Sequence, residues 1–577
     1  MKDSNYKSWA WSFVTAYWYF FVVLLLLSLA IAGTTLVLPY ALKVFADYIF
    51  GNQTLPNSLS ELSKNQLLID ASVVFLGIYV LRSLLLGLNL WVVTKMEQTI
   101  DKKVMLESFA TLSSVPFNNP KRLSPDDSLY LINEQSRQVS SYTVGNFAIF
   151  SRWTFVFIGV IAILANVSPL MAEVTVVAIL LTAIIATYAS MKFQVKGDEA
   201  EAATQATRNF IEDSLIKLRL VQEYAKEKAQ IAKLEALTTQ RDKEQRSEIG
   251  ENQIFKTTAI LILSLTLLAV LTIDGKQVLS ERLTAGDILL FVGFLAVMLE
   301  PLTSAAAMFG QRREQTKILN ELYDNLEQAK AFVPKSGTRK LDTIKGKIEL
   351  RHVRLQGTYK LIFTDLNLVL EPKSTTAVIG ASGSGKSSLL SLFNGFMSPT
   401  EGQVLLDDVS LSELDSDFLR SNVAVVDQES LVMHDTIGNN IAFADPARAN
   451  NLPDIMAAAV VNNATEFINS LDKKYDTIVE EDLLSGGQKQ RISIARAYYA
   501  KTPIVIMDEP TAALDRRSAE IFADDLSKYF GSRTVLIATH DLALLRKVKD
   551  VYILQDKMLI PVPDLSKLDL DKYRIVS

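Results

Sequence analysis

The sequence predicts a two-part fold, an α-helical membrane domain with six transmembrane helices followed by a soluble α/β domain. Hydrophobic residues make up 49% of the 577 residues while 21% are charged, which fits a membrane part joined to a soluble part. Long apolar runs recur through the N-terminal half. In the C-terminal half, a short apolar strand, a glycine-rich loop and a helical run follow one another. We therefore place the membrane domain at about 1–330 and the α/β domain at about 346–577.

Charge and cysteine content exclude several classes of function. The net charge of −5 is small for this length, so the composition gives no reason to expect a nucleic-acid partner. The chain has no cysteine, which excludes disulfides, iron–sulfur clusters and thiolate metal sites.

The six predicted spans are long apolar runs. The first, residues 8–42, carries no charge and is far longer than the core of a signal peptide. Crossing a bilayer takes ~17–25 apolar residues. The other runs lie at about 71–94, 153–172, 174–191, 257–273 and 288–299, the last extending to about Phe309.

The loops between these spans set the predicted orientation. The two long connections, 95–151 and 192–256, hold 6 and 12 Lys/Arg residues, whereas the three short connections hold four between them. Because basic residues favour the cytoplasmic side, both termini and both long loops are predicted to be cytoplasmic. This topology makes the chain a multi-pass membrane protein.

The second long connection is predicted to be helical. Residues 192–256 are rich in Ala, Glu, Lys, Gln and Arg and contain no proline. At ~1.5 Å per residue, thirty helical residues extend about 45 Å, so membrane helices are expected to have long cytoplasmic extensions. The turns near 115–129 and 211–225 would then couple the membrane domain to the soluble domain. The alternative is a solvated helical hairpin.

A glycine-rich sequence in the C-terminal half matches the G-x-x-x-x-G-K-[ST] phosphate loop. It lies between a predicted strand at 375–379 and a predicted helix at 387–393. Its backbone N–H groups are expected to bind the phosphates of ATP at the helix start. Lys386 is expected to reach the β- and γ-phosphates, and the Ser387 hydroxyl to bind Mg²⁺. The predicted loop comprises Gly380, Ala381, Ser382, Gly383, Ser384, Gly385, Lys386, Ser387 and Ser388.

A second apolar strand, at 504–507, ends in two acidic residues. Asp508 is placed to hold Mg²⁺, directly or through water, and Glu509 is the candidate general base for an attacking water. General bases typically contribute ~10²–10⁴-fold in rate. Such a pair is often only a solvated strand end, but its position after a phosphate loop favours the catalytic interpretation.

The residues between these two motifs indicate a protein that works in pairs. They read Leu484, Ser485, Gly486, Gly487 and Gln488, a second glycine-rich element at a helix start. A helix start favours anions and so offers a second surface to the nucleotide. In a single nucleotide-binding fold the two surfaces are expected to lie too far apart to share one ligand.

With this stretch, nearly the whole chain resembles an ABC transporter of the exporter type, a half-transporter with six membrane helices and one ATPase domain. The resemblance implies further roles. Gln428 would sense Mg²⁺ and contact the membrane domain, Asp515 would lie in the loop that crosses the dimer interface, and His540 would contact the γ-phosphate. Two ATP molecules would be sandwiched, each between the phosphate loop of one protomer and Ser485, Gly486 and Gly487 of the other.

Two segments depart from the family pattern. The family places an adenine-stacking aromatic about 25 residues before the phosphate loop, where this chain has Gly357; Tyr359, two residues later, is the candidate. The segment 477–483 before the signature is about two residues short and lacks its usual glycines. Because that segment normally touches the cytoplasmic hairpins, the coupling is expected to differ in detail.

Glu300 is the membrane residue selected as a candidate for the substrate path. It precedes Pro301 inside the last span, where a charge costs roughly 2.5–3.5 kcal/mol on insertion scales. We hypothesise that it lines the path and favours cationic or hydrogen-bonding cargo.

The resemblance implies ATP-driven export of an amphipathic peptide, lipid or drug by alternating access across the inner (cytoplasmic) membrane of a bacterium. A homodimer is expected because no catalytic motif is degenerate, although a heterodimer with a defective partner stays open. Two alternatives are an importer with this fold, carrying siderophore-like cargo, and an ATP-gated channel or regulator. The sequence does not identify the cargo.

Overall fold

A computed structural model shows two compact units. It describes residues 5–49, 64–117, 119, 121–279, 283–333, 336–357, 361–381, 383–480 and 483–565. One unit comprises residues 1–112 and 123–328, and the other comprises 113–122 and 329–577. The short segment 113–122 therefore packs with the C-terminal unit, although it continues the first helical hairpin of the N-terminal unit.

Among its described residues, the first unit has only helical secondary structure, with a π-helical turn at Leu131–Gln135. Its helices are α1 (Asn5–Ala16), α2 (Trp18–Ile49), α3 (Lys64–Ser113), α4 (Pro125–Tyr130), α5 (Ser136–Val167), α6 (Pro169–Ile216), α7 (Leu218–Glu223), α8 (Glu227–Leu279) and α9 (Ala285–Phe332), the last of which continues into the second unit. Among the described residues, six helical segments are long and apolar enough to cross a membrane, which confirms the six predicted spans. These are Trp18–Asp47, Ile69–Ser113, Pro125–Val167, Pro169–Ala189, Glu227–Leu279 and Ala285–Thr303.

Helices α5 and α6 have almost no loop between them, and local hydrogen bonding accounts for the sharp turn. Ser168 has extended backbone angles (φ −147°, ψ 115°) and separates α5 from α6. Its hydroxyl accepts a hydrogen bond from the N–H of Met171, and Pro169 fills the first helical position. Helices α6 and α8 then run on through 192–256 as long helices, as the composition predicted.

The second unit is an α/β domain with three sheets. Its strands are β1 (Ile348–Gln356), β2 (Leu361–Leu370), β3 (Thr375–Ile379), β4 (Glu401–Leu406), β5 (Val409–Ser410), β6 (Val423–Val426), β7 (Asp435–Thr436), β8 (Ile478–Val479), β9 (Ile504–Asp508), β10 (Thr534–Ala538), β11 (Asp550–Gln555) and β12 (Met558–Pro561). Its helices are α10 (Lys386–Phe393), α11 (Ser416–Ser421), α12 (Ile437–Ala442), α13 (Leu452–Val460), α14 (Ala464–Asn469), α15 (Gly486–Tyr499), α16 (Arg516–Phe530) and α17 (Leu542–Leu545).

The central sheet has the strand order β12-β11-β3-β10-β9-β6. The strands from β11 to β6 pair in parallel, and only β12 is antiparallel to its neighbour. Every residue of β9 and β10 is buried, which explains why their sequences are apolar apart from Asp508 at the end of β9 and Thr534 at the start of β10. A four-stranded antiparallel sheet, β2-β1-β4-β5, and the two-stranded β7-β8 complete the strands.

The segment 113–122 contributes an aromatic contact to the second unit. The rings of Phe117 and Phe396 meet edge to face with centroids 5.3 Å apart. The Lys121 ammonium lies 5.9 Å from the ring centroid of Phe332. Phe396 follows α10, the helix that the phosphate loop begins, so the contact lies close in sequence to the candidate site.

Candidate nucleotide-binding and catalytic site

Strand order brings the predicted motifs to one edge of the central sheet. In parallel strands the carboxyl ends share an edge, and ligands bind there. The phosphate loop follows β3, Asp508 closes β9, and His540 follows β10, which lies between them. Gln428 follows β6, the neighbour of β9.

The phosphate loop adopts a backbone that requires glycine. Gly383 and Gly385 have φ of +78° and +109°, and a Cβ on Gly385 would lie 2.9 Å from Cε1 of Phe363. Helix α10 begins directly after Gly385, at Lys386. The Ser384 hydroxyl is buried and has no hydrogen-bond partner among the described residues. A tight glycine loop at a helix start with an unpartnered polar atom fits a phosphate group. Ser382 lies outside the described residues.

Lys386 occupies the centre of the cluster. Its ammonium donates to the carbonyl of Gly380 at 2.7 Å and lies 2.9 Å from Nε2 of His540. Burial lowers the pKa of Lys386, while the negative charges of Glu509 and Asp508 raise it. The site therefore holds a cation that has lost part of its hydration, which strengthens its attraction for phosphate oxygens.

Ser387 and Asp508 form the oxygen pair expected of a magnesium site. The Ser387 hydroxyl donates to Oδ2 of Asp508 at 2.9 Å. Burial raises the pKa of Asp508, and the hydrogen bond from Ser387 lowers it. A hydroxyl beside a carboxylate suits the hard-oxygen preference of Mg²⁺. Gln428 is exposed, and its own N–H donates to Oδ1 of the neighbouring Asp427.

Glu509 has a strained backbone and an oriented carboxylate. Its φ is +47°, the left-handed region that costs a non-glycine residue about 1–3 kcal/mol. Its Oε2 accepts from the N–H of His540 at 3.3 Å, and its Oε1 lies 3.4 Å from His540 Nε2. Burial raises the pKa of Glu509, whereas the His540 N–H and the charge of Lys386 lower it. Its carboxylate therefore lies beside the residues expected to contact the γ-phosphate.

The signature forms the N-terminus of α15. The Ser485 hydroxyl accepts from the N–H of Gln488 at 3.3 Å, and Oε1 of Gln488 accepts from the N–H of Ser485 at 2.9 Å, a capping box. Gln488 thus orders the helix start, a contact that the sequence interpretation did not include. Ser485 and Gly486 are exposed, whereas a Cβ on Gly487 would lie 2.8 Å from the carbonyl oxygen of Ala513.

Asp515 forms hydrogen bonds and an ion pair within its own chain. It caps α16 by accepting from the N–H and hydroxyl of Ser518 at 2.9 and 2.6 Å. Arg491 of α15 lies 3.3 Å from its Oδ2. Hydrogen bonds from Ser518 and the charge of Arg491 lower the pKa of Asp515. The structure thus ties Asp515 to the signature helix.

The structure therefore brings five predicted residues together and separates others from them. The clustered residues are Lys386, Ser387, Asp508, Glu509 and His540. In the described part of the chain, Ser485 forms hydrogen bonds with Gln488, and Asp515 contacts Ser518 and Arg491, rather than residues of this cluster. Tyr359 lies outside the described residues, and Glu300 is exposed on α9.

Sequence reasoning missed Gln490 and Arg491. Gln490 is buried on α15, and its Nε2 donates to the carbonyl of Glu509 at 3.3 Å. The available signal was a polar residue on the inward face of a predicted helix. Such a residue requires a hydrogen-bond partner inside the domain.

Fold and site together define a class of protein, an ATPase with a phosphate loop fused to a six-helix membrane domain. The family described as ABC transporter transmembrane region matches residues 21–302, and the family described as ABC transporter matches residues 363–512. The chain belongs to the ABC transporters, which confirms the family that its motifs predicted. It is a multi-pass membrane protein whose ATPase domain binds ATP and couples its hydrolysis to transport.

Relatives and a solved structure agree with this assignment. An ATP-dependent lipid A-core flippase of Bordetella avium (strain 197N) is 26% identical over 557 residues, covering 94% of this chain and 91% of the relative. An ATP-dependent lipid A-core flippase of Pseudoalteromonas atlantica is 31% identical, covering 57% of this chain and only 56% of the relative. A bacterial Atm1-family ABC exporter with ATP bound has a TM-score of 0.80 at 21% identity, covering 93% of both chains. This last likeness establishes the exporter fold.

We expect Gly385→Ala to weaken ATP binding at least tenfold, about 1.4 kcal/mol, because its φ is +109° and the new methyl would press on Phe363. Titration of the purified protein with a fluorescent ATP analogue measures the affinity. The control is Gly250→Ala on α8, where a Cβ meets nothing within 4 Å. Equal affinities of Gly385→Ala and the unmodified protein would contradict the inferred role of this glycine.

Proposed function

We propose that the protein exports an amphipathic lipid across the inner membrane, driven by ATP hydrolysis at the Lys386, Glu509 and His540 cluster. The observation that carries the proposal is this cluster at the carboxyl edge of a parallel sheet, in a chain that also has six membrane-spanning helices. The names of the two flippase relatives favour a lipid over a peptide or drug.

Each clustered residue has a chemical role in the proposed hydrolysis. Glu509 accepts a proton from the attacking water, since its carboxylate is oriented by two contacts with His540. Lys386 and His540 stabilise negative charge on the transferred phosphoryl group. Ser387 and Asp508 would hold Mg²⁺, with Gln428 at the edge of that site. Bound there, the metal ion would neutralise charge on the β- and γ-phosphate oxygens.

Two protomers are needed in this proposal. The start of α15 is exposed at Ser485 and Gly486, and the positive end of its helix dipole favours an anion. We propose that Ser485 of one protomer faces ATP bound at Lys386 of the other. A homodimer is the preferred assembly because this chain carries every catalytic motif. Tyr359 is the proposed adenine contact.

The contact between Phe117 and Phe396 supports a coupling role for segment 113–122. This segment is continuous with the spans on either side, yet it packs in the unit that contains the ATPase site. Movement of α10 and its flanking loop would therefore reach the membrane helices through an aromatic contact. The charge asymmetry of the loops supports a cytoplasmic location for this segment and for both termini.

Glu509→Gln should lower ATP turnover by ~10²–10⁴-fold while leaving ATP bound, because the amide accepts no proton from water. Phosphate release and the retention of labelled nucleotide measure the two effects. The matched control is Glu520→Gln on α16, an exposed acid that pairs with Arg516 and should not change turnover. Undiminished hydrolysis in Glu509→Gln would remove Glu509 as the general base.

The direction of lipid movement separates the proposal from its alternatives. Inside-out vesicles with a labelled lipid should accumulate the label in the lumen when ATP is added. Loss of label from preloaded vesicles would favour an importer. An ATP-dependent ion conductance without lipid movement would favour a channel.

Phe117→Ala should uncouple the two activities, since it removes a ring contact typically worth ~0.5–1.5 kcal/mol. We expect basal ATP hydrolysis to stay within about twofold, whereas lipid transport per ATP falls severalfold. Phe109→Ala is the control, because this phenylalanine of α3 is exposed and packs against no other aromatic ring among the described residues. A normal transport ratio in Phe117→Ala would argue against the coupling role.

Glu300→Gln tests the substrate path. Glu300 is exposed on α9 within the span Ala285–Thr303, so its charge is available to a cationic or hydrogen-bonding headgroup. Stimulation of ATP hydrolysis by such a lipid should fall in this variant, and Glu321→Gln, on the same helix beyond the span, should behave normally. Unchanged stimulation and transport in Glu300→Gln would exclude the residue from the path.

A further inference from the structure

Gln490 is a buried amide that touches the backbone of the candidate general base. It lies on the inner face of α15, and 1% of its surface is exposed. Its Nε2 donates to the carbonyl oxygen of Glu509 at 3.3 Å. Placing a polar side chain at such a depth is unfavourable unless it forms hydrogen bonds, so this contact gives a physical reason for the residue.

The carbonyl that Gln490 holds belongs to a residue in a disfavoured conformation. Glu509 has φ +47°, which persists only when its surroundings fix it. Its N–H donates to the carbonyl of Ala538 at 2.8 Å, and its own carbonyl also accepts from the N–H of Ala512 at 3.1 Å. Gln490 is the one side chain recorded as donating to this carbonyl in the described part of the chain.

Helix α15 contacts the loop after Glu509 at two further places. Gly487 packs against the carbonyl of Ala513, since a Cβ there would be 2.8 Å away. Arg491 lies 3.3 Å from Oδ2 of Asp515 and donates to Ser518 at 2.8 Å. The helix that carries the signature at one end is thus fixed along its side to the segment 509–518.

We propose that Gln490 is a positioning residue that fixes the backbone of Glu509, and through it the carboxylate, relative to the signature helix. The proposal rests on the proposed role of Glu509 as general base. In a dimer, the N-terminus of α15 would complete the ATP site of the other protomer. Helix α15 would then connect that site to the general base of its own protomer.

The direct test is Gln490→Met, which keeps an unbranched side chain of similar length but has no N–H donor. We expect kcat for ATP hydrolysis to fall about 10- to 100-fold, because small displacements of a catalytic group have effects of this size. The KM for ATP should change less than twofold, since the side chain of Gln490 donates its hydrogen bond to the backbone of Glu509 and not to a described residue of the phosphate loop. Both constants come from phosphate release by the purified full-length protein.

Asn462→Leu is the matched control. Asn462 is also a buried amide, 4% exposed, and its Nδ2 donates at 2.6 Å to the carbonyl of Arg491 on the same helix. Its loss should lower the thermal unfolding midpoint while kcat stays within about twofold. A fall in kcat that follows the loss of thermal stability equally in both variants would show a merely structural role and overturn the proposal.

A double variant distinguishes the positioning role of Gln490 from the proposed role of Glu509 as general base. In a Glu509→Gln background, Gln490→Met should lower the residual turnover by less than twofold, because a residue acting through Glu509 has nothing left to position. A further tenfold loss there, or failure of the double variant to retain ATP as Glu509→Gln does, would overturn the positioning role. Full turnover in Glu509→Gln alone would instead refute the proposed general base.

Should Gln490→Met give no folded protein, Gln490→Asn provides the same comparison. It keeps the amide but withdraws it by one methylene, so the donor no longer reaches the Glu509 carbonyl. Normal kcat in folded Gln490→Asn would overturn the proposal.

Discussion

The parallel pairing of β3, β10 and β9 is the constraint on which the rest of the site depends. Each strand delivers one chemical group at its carboxyl end, and the central position of β10 places His540 between the other two. Lys386 and His540 are 154 residues apart in sequence yet 2.9 Å apart in the site. Strands β9 and β10 are buried and almost wholly apolar, so their hydrophobic packing fixes the geometry of the polar cluster at their carboxyl ends.

Positively and negatively charged side chains lie together at this buried edge of the sheet, and the opposite charges stabilise one another. Burial raises the pKa of Asp508 and Glu509 and lowers the pKa of Lys386, so every group alone would tend towards its neutral form. Their mutual attraction opposes this tendency. Charges kept in a partly dry site act strongly on phosphate oxygens, since little water remains to screen them.

Helix α15 connects two features that the motifs present as separate. Its capped N-terminus is exposed, while its side contacts the backbone of Glu509 and the carboxylate of Asp515. Within the second unit, the ring of Phe117 in segment 113–122 contacts the ring of Phe396. The contacts of α15 join residues 19 and 24 positions apart in the sequence, whereas Phe117 and Phe396 come from distant parts of the chain.

The sequence by itself determined the six spans, the family and the strands that flank the phosphate loop, because these depend on local apolar runs and short motifs. It predicted a strand at 375–379, which the structure has as β3. Only the tertiary structure decided the left-handed backbone of Glu509, the contact between Arg491 and Asp515, and the partner of Gln490. These features depend on strand order and on how α15 packs against the sheet, and neither is encoded in the spacing of neighbouring residues.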